Sequence, residues 1–483
     1  MTTPLPVGFG VALDRSVRRY RDGRVLVGGQ PLRRVRLSDA GRAALADLIG
    51  GRAASGSARR LGRRLVDAGL AHPRPPDSPG PVDVTVVIPV RDRPAALRRC
   101  LAAIGPAHPV LVVDDGSTEP RSIAAVCADH GARLLRHQPS AGPAGARNRG
   151  LAAAGTDLVA FLDSDCVADP GWIARLIGHF ADPLVGAVAP RVEPRFPAGR
   201  DDWIARFDRA RCALDLGPRE SPVGPGRTVP YVPTAALVVR RSARPTFDER
   251  LAHGEDVDLV WRLHDAGWRI RYDPTVRVEH EEPATARALL HRRWRYGTSA
   301  AALARRHPRR LASIVTRPGP LAAAVCLLGR RPWLATALTG ALVAVWCRRL
   351  GPAGVPAARI VAWSAQAPAQ TLVALGRAAT MYAAPALAAG LAVRRTRPAA
   401  LALLLAGPLA AWWRGRPGLD PVRWTIASIA DDVAYGAGVW RGCWRERTIA
   451  PLVARWASPA ADRVHRTTEN NLRSADAAPP AAS

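Results

Sequence analysis

Paired carboxylates are the residues of this chain best suited to chemistry. Asp114 and Asp115 precede Gly116-Ser117-Thr118, Asp163 and Asp165 flank Ser164, and Glu255 and Asp256 follow Gly254. Carboxylate oxygens hold hard divalent cations. A carboxylate can also take a proton from a hydroxyl as that oxygen forms a bond. Taken singly, each pair has a plainer explanation. Asp115-Gly116 is a common turn signal. Asp163 and Asp165 could cap backbone amides, and Glu255 and Asp256 could complement the positive end of a helix. The joint pattern is different, and it depends on the elements that position the pairs.

Those elements are short apolar strands. Val84–Val90 runs into Arg91-Asp92-Arg93, Val110–Val113 into Asp114-Asp115, and Leu158–Leu162 into Asp163-Ser164-Asp165. Segments rich in Ala, Leu and Arg lie between them and read as helices. Alternating strands and helices imply a parallel sheet. Ligands of such sheets bind at the carboxyl ends of the strands. The acidic clusters therefore meet on one rim, where they could serve a nucleotide. Gly254-Glu255-Asp256 opens a helix with Val260 and Leu263 on one face, ending at Gly267. Asp169-Pro170 opens another through Trp172, Leu176 and Phe180, with Asp at the N-cap and Pro at N1. Residues 190–230, rich in Pro, Gly and Arg, read as a long functional loop. Tyr231–Arg240, Arg269–Tyr272 and Val276–His280 read as strands.

The 483 residues leave room for several domains. Residues 1–72 read as a small basic α+β module. Val25–Gly29 is a strand and turn, Ser38-Asp39 caps a helix through Leu45 and Leu48, and a second helix runs near Leu61, Leu65 and Leu70. That order suggests a winged-helix-like unit. Residues 73–81 form a Pro-rich, stiff linker, and 82–310 form the α/β domain. Residues 311–457 are apolar and helical, with runs at 332–347, 378–393 and 399–413. Each run falls short of the ~18 to 20 residues that cross hydrocarbon comfortably. Arg348-Arg349, Arg394-Arg395 and Arg414 flank them, as at membrane interfaces. The reading is membrane-associated helices with marginal spans; a buried Ala-rich bundle is its rival. Asp431 to Arg445 reads as one more amphipathic helix, and 458–483 as a disordered tail.

The net charge is +29, carried by arginine with no lysine. Abundant Ala, Gly and Pro accompany it, which is the bias of a GC-rich genome. Such charge attracts nucleotides, nucleic acid or an acidic membrane face. Charge alone is poor evidence for nucleic-acid binding, and none is expected. The seven cysteines are scattered without a C-x-x-C pair, so zinc and a disulfide framework are not expected and a reducing compartment is the default. No positively charged start precedes an apolar run, so no signal peptide is expected.

Several segments repeat one known series in order: Ile88–Arg93, Val113–Thr118, Gly142–Gly150, Phe161–Asp165 and Gly254–Leu259. From about Val82 to Trp294 the chain resembles the family 2 glycosyltransferases of the GT-A fold, a Rossmann-like architecture. The resemblance implies a nucleotide-sugar donor, whose diphosphate leaves with the help of a cation on oxygen ligands. Asp165 is then the metal ligand, Asp163 reaches ribose or metal, and His280 is a further ligand, for Mg²⁺ or Mn²⁺. Asp115 receives the uracil edge, Pro89, Val90 and Arg91 line the base pocket, and Asp114 and Ser164 complete the donor site. Arg147 belongs near the nucleotide; its rival role is a solvated helix face. Asp256 is the base and Glu255 positions it or the acceptor, giving one inverting displacement. Arg292 to Gly297 resembles the Gln-x-x-Arg-Trp segment of processive β-glycan synthases, which makes Arg293 and Trp294 acceptor-channel residues. Leu290 stands where that segment has Gln, which leaves processivity open.

The basic N-terminal module, Tyr231–Ala236 and Asp431–Trp440 look like the glycosyltransferases of the mycofactocin system. That implies UDP-glucose as donor and the peptide-derived redox cofactor premycofactocin as acceptor, extended by β-1,4-linked glucose. The N-terminal module then recognises a peptide-derived partner. The enzyme sits at the cell membrane with its catalytic domain in the cytoplasm. Two other readings stand beside this one: a membrane glycosyltransferase acting on a lipid or cell-wall polysaccharide, and a nucleic-acid-binding protein. A dinucleotide-dependent oxidoreductase is disfavoured, because Gly142-Pro-Ala-Gly145 is not G-x-G-x-x-G directly after the first strand.

Overall fold

The computed structural model describes residues 3–29, 31–51, 55–76 and 82–457. Most of the expected linker, 77–81, and the expected disordered tail, 458–483, lie outside the described residues.

The N-terminal module has a three-stranded antiparallel sheet, Arg18–Tyr20, Val25–Gly28 and Arg33–Arg36. The helices Asp39–Ile49 and Gly56–Asp67 pack beside it, each capped by a serine. Ser38 Oγ accepts from the Gly41 N–H at 3.1 Å and Ser55 Oγ from the Ala58 N–H at 3.2 Å. Val25–Gly28 is buried on both faces. Side chains alternate along a strand, so Leu26 joins Leu45, Leu48 and Leu65 in the module's own core, while Val25 and Val27 pack on Leu350, Val355 and Ile360 far along the chain. Gly10–Leu13 pairs with Ala71–Arg74, placing Pro73 opposite Val11 and Arg74 opposite Gly10. Pro73 and Arg74 thus belong to the module and not to the linker. A proline is tolerated on such an edge strand.

Charged pairs fix the module to the central domain. Arg63, 1% exposed, meets both oxygens of Asp182 at 2.7 and 2.8 Å. Arg269 forks onto Asp67 at 2.7 Å through both contacts. Two parallel bonds between planar groups fix orientation as well as distance.

The central sheet runs, in spatial order, Arg133–Arg136, Val110–Asp114, Val84–Val90, Leu158–Leu162, Ala236–Arg240, Val185–Arg195, Arg269–Glu281 and Cys166–Ala168, and Ser221–Val223 also pairs with Arg269–Glu281. The first four are parallel. Ala236–Arg240 joins antiparallel to Leu158–Leu162, so the sheet is mixed. Apolar layers cover both faces, one with Leu97, Ile123 and Trp172, the other with Ala146, Phe247 and Trp261. Strands covered on both faces need nearly continuous apolar sequence, which is what Val84–Val90 and Leu158–Leu162 supply.

Several elements depart from expectation. The helix expected from Asp169 begins at Trp172, because Gly171 adopts φ 67° and interrupts any helix through it. Asp169 pairs with Arg175 at 3.3 Å, and Phe180 lies in a separate 3-10 turn, Gly178–Ala181. Residues 190–230 are not one loop. The strand continues to Arg195, and Trp203–Arg211 is a helix capped by Asp202, whose Oδ1 accepts from Ile204 and Ala205 at 2.9 Å each. Residues 231–235 precede the strand, which begins at Ala236. The two strands expected after Arg269 are one, Arg269–Glu281, with a register shift opposite Pro190 and Arg191.

Beyond Ala286–Arg306, the chain forms helices Pro318–Leu328, Pro332–Leu350, Ala357–Tyr382, Ala384–Ala392, Arg397–Gly415 and Pro421–Glu446. The apolar run 378–393 is broken at Ala383 into two helices bent by 104°. Pro385 in the first turn of the second cannot continue the first. Among the described residues no single helix is long and apolar enough to cross a membrane; the bent pair Ala357–Tyr382 and Ala384–Ala392 passes by length and composition only.

Pro421–Glu446 is wedged between two neighbouring helices. A Cβ added at Gly438 would lie 2.0 Å from the Trp294 carbonyl oxygen, and one at Gly436 would lie 1.6 Å from that of Met381. Only glycine permits backbones this close. Asp431 and Asp432 on the same helix are buried. Arg293 Nε donates to Asp431 at 2.6 Å, and Arg211 Nη2 lies 2.9 Å from Asp432 and 3.2 Å from Asp431. Asp431 and Asp432 therefore sit in an internal ion-pair seam, while Arg441 and Arg445 further along the segment stay exposed.

Candidate active site

The site starts where neighbouring strands end together, with Val90 in register with Asp114. Asp114 is fully buried. It accepts from the Ser117 N–H at 2.9 Å and from Arg136 Nη1 at 2.6 Å. It thus shapes the loop from beneath instead of facing the cleft. Asp115 turns the other way, to the start of the helix Gly142–Ala153. Its oxygens accept from Ser140 Oγ at 2.7 Å, Ala141 N at 2.8 Å and Gly142 N at 2.9 Å. The Asp115 N–H donates to the Val90 carbonyl at 2.9 Å, and Arg91 reaches the same Ser140 Oγ at 3.1 Å. Pro89, Val90, Arg91 and Asp115 thus form one edge. Asp92 beside them takes φ 54°. The Thr118 backbone and hydroxyl donors, with Arg91, hold its carboxyl below the usual range.

A second cluster forms where Leu158–Leu162 ends. The chain turns through Asp163, buried Ser164 and Asp165 into Cys166–Ala168, which pairs antiparallel with Arg269–Glu281 and sets Cys166 opposite His280. One ligand atom each from Asp163, Asp165 and His280 lie within 4.8 Å of one another. His280 Nε2 is 3.6 Å from Asp165, while its Nδ1 is 3.1 Å from Glu282 Oε1. Burial works against a charged imidazole, but Glu282 and Asp165 outweigh it and raise its pKa. Two carboxylates and an imidazole oriented by a carboxylate behind it suit Mg²⁺ or Mn²⁺. Arg93 is paired with Asp165.

Glu282 was not among the residues expected at the site. It is buried and also paired with Arg292, which reaches Asp208 at 3.2 Å. Burial and the neighbouring Glu282 push the Asp208 carboxyl up to about 7. The available signal was positional: Glu282 stands two residues after a histidine at a strand end.

Arg147 joins the two halves of the site. It is buried, not on a solvated helix face. Its Nη2 donates to Asp163 at 2.6 Å and its Nη1 to Glu255 at 3.0 Å. Burial opposes its charge, but Asp163 and Glu255 keep it protonated. Asp256 follows, half-buried in the first turn of Glu255–Asp265. Burial first, and then the negative charge of Glu255, push its carboxyl from 3.8 up to about 7. A carboxylate so tuned suits proton transfer near neutral pH.

Arg293 is not an open channel wall. It is 7% exposed and anchors the helix Pro421–Glu446 through Asp431. Trp294 stacks on His291 with ring centroids 5.5 Å apart.

Comparison with known proteins adds to this geometry. Glycosyl transferase family 2 matches residues 85–244. A Pre-mycofactocin glycosyltransferase of Mycobacterium tuberculosis is 42% identical over 470 residues, covering 93% of this chain and 98% of that protein. A succinoglycan biosynthesis protein of Rhizobium meliloti is 26% identical over 208 residues, covering 40% of this chain and 59% of that protein. Among solved structures, a mannosyltransferase from Pyrobaculum calidifontis in complex with GDP-Man and Mn²⁺ is 19% identical with a TM-score of 0.38, covering 71% of this chain and 90% of that one.

Proposed function

Because the chain belongs to the pre-mycofactocin glycosyltransferases, within glycosyl transferase family 2, we propose that it transfers glucose from UDP-glucose to pre-mycofactocin, building a β-1,4-linked chain with inversion at each step. The observation that carries this reading is Arg147. One buried guanidinium holds Asp163 on the donor side and Glu255 on the acceptor side, so a leaving diphosphate and an incoming hydroxyl can meet across it.

The chain's own residues divide the work. Asp115 with Pro89, Val90 and Arg91 receives the uracil edge. Asp163, Asp165 and His280 would hold a divalent cation, which when bound supplies positive charge to the departing diphosphate. Asp256 takes the proton of the acceptor hydroxyl as its oxygen bonds to the anomeric carbon. The bond from that carbon to the diphosphate oxygen breaks on the opposite face, and UDP leaves. Glu255, held by Arg147, positions the acceptor against Asp256.

The helices beyond Pro318 rest on the inner face of the cell membrane, with the catalytic domain in the cytoplasm and the N-terminal module receiving the peptide-derived part of the acceptor. Support comes from exposed tryptophans beside arginines, as membrane interfaces favour. Trp413 lies 4.2 Å from Arg416 and Trp444 lies 4.7 Å from Arg441.

Mass spectrometry of small metabolites tests the reaction. Cells without this protein should lose a series of successive hexose additions to the acceptor. An intact series, with a change in a lipid-linked glycan instead, would overturn the choice of acceptor. Fractionation of the same cells should recover the protein with membranes; recovery wholly in the soluble fraction, at low and high salt alike, rules the membrane placement out.

A further inference from the structure

We propose that Tyr231, Tyr296 and Tyr435 form the subsite that grips a glucosylated acceptor, so that the C-terminal helical region supplies part of the binding site. The inference rests on the glycosyltransferase reading above and adds the residues and ligand chemistry of its acceptor side: a hydroxyl-rich saccharide end.

Three separate elements bring these residues together: the charges of Asp256, Tyr435 and Tyr296 all act on the Tyr231 phenol. Tyr231 follows Pro230, whose carbonyl accepts from Trp261 Nε1 at 2.9 Å on the helix that begins with Glu255-Asp256. A few residues on, the Ala235 carbonyl accepts from the Asp163 N–H at 2.9 Å. The segment therefore runs from the base helix to the Asp163 turn. Tyr296 lies on Ala286–Arg306. A Cβ at Gly254, the residue capping the Asp256 helix, would lie 3.0 Å from Ser299. Ser299 is one turn past Tyr296 and donates to its carbonyl at 2.8 Å. Tyr435 comes from Pro421–Glu446, where a Cβ at Gly297 would lie 2.1 Å from the Tyr435 carbonyl oxygen. The helix Ala286–Arg306 thus touches both the base helix, at Ser299, and the last long helix, at Gly297.

The state of the side chains points to a ligand. All three are half-buried, and among the described residues none of their hydroxyls bonds to protein or is sealed from solvent. The one buried tyrosine hydroxyl without a partner among the described residues is that of Tyr20. Burial, and then the negative charge of Asp256, keep the Tyr231 phenol protonated well past neutral pH, so it stays a donor. A half-buried tyrosine offers an apolar face and a polar tip, and each hydroxyl can both donate and accept. That combination fits a sugar, with its apolar C–H face and ring of hydroxyls. The two buried aspartates Asp431 and Asp432 lie one helical turn before Tyr435 and lock its helix in place through Arg293 and Arg211.

The test uses the full chain in detergent with UDP-glucose, and pre-mycofactocin or its singly glucosylated product as acceptor. The variants are Tyr231→Phe, Tyr296→Phe, Tyr435→Phe and all three together; phenylalanine keeps the ring and so the fold. The triple variant should raise the KM for the glucosylated acceptor at least about ten-fold, the loss of one or two good hydrogen bonds. Donor KM should stay unchanged. An acceptor KM within roughly two-fold of the parent, or donor KM rising in step with it, overturns the subsite. A parent enzyme that transfers nothing to pre-mycofactocin overturns the proposed function, and this inference with it.

Discussion

Asp256→Asn should lower transfer by about 10³-fold while leaving UDP affinity unchanged, because a positioned general base contributes typically ~10² to 10⁴. The base must be unprotonated to act. Burial and Glu255 raise its carboxyl to about 7, so transfer by the parent should fall as pH drops through about 7, and the variant should lose that limb of the profile. The same shift has a stability consequence of determined sign. The folded state holds this proton more tightly than the unfolded state does. The stability it contributes is present below the ordinary 3.8 and is lost as pH rises through about 7. Asparagine is neutral throughout, so the variant should melt above the parent at alkaline pH. Transfer within roughly ten-fold of the parent would remove Asp256 from the role of base, and an unchanged melting temperature would show that its ionisation costs the fold nothing.

The second large effect concerns Asp165. Its replacement by alanine takes one of the carboxylates from the cluster with Asp163 and His280 and also frees Arg93. Partners behind a ligand typically account for ~10 to 100-fold in metal affinity. Asp165→Ala should therefore weaken cation-dependent donor binding by more than about 100-fold, and Glu282→Gln, which loosens His280 from behind, by about 10-fold. Titrating Mn²⁺ against UDP binding measures both. Equal titrations for the parent and Asp165→Ala would dismiss the carboxylate as a ligand.

Much of the catalytic half of this fold is readable from residue order, for a physical reason. Strands covered on both faces must be apolar nearly throughout, so Val84–Val90, Val110–Asp114 and Leu158–Leu162 stand out against their arginine-rich surroundings. Their polar ends share a rim because parallel strands point the same way. What stayed hidden was set by long-range pairing. Asp114 and Asp115 are adjacent, alike and both buried, yet one is held by Arg136 and the other by the start of Gly142–Ala153; only the pairing of Val110–Asp114 with Arg133–Arg136 decides which. The helix Trp203–Arg211 was masked by Pro- and Gly-rich flanks, although Asp202 is an ordinary cap. The burial of Arg293 depends on Asp431, far along the chain. Glycine at 436 and 438 reads as flexibility in a sequence; in the fold it is closeness.

The strand Val25–Gly28 has one side against its own helices and the other against Leu350, Val355 and Ile360. A ribosome adding about 5 to 20 residues per second emits the first side's partners promptly, but the second side's only after the whole central domain has followed. This strand is therefore finished long after it is made, and for tens of seconds it waits with an oily flank bare, which is the interval in which a nascent chain most needs a chaperone.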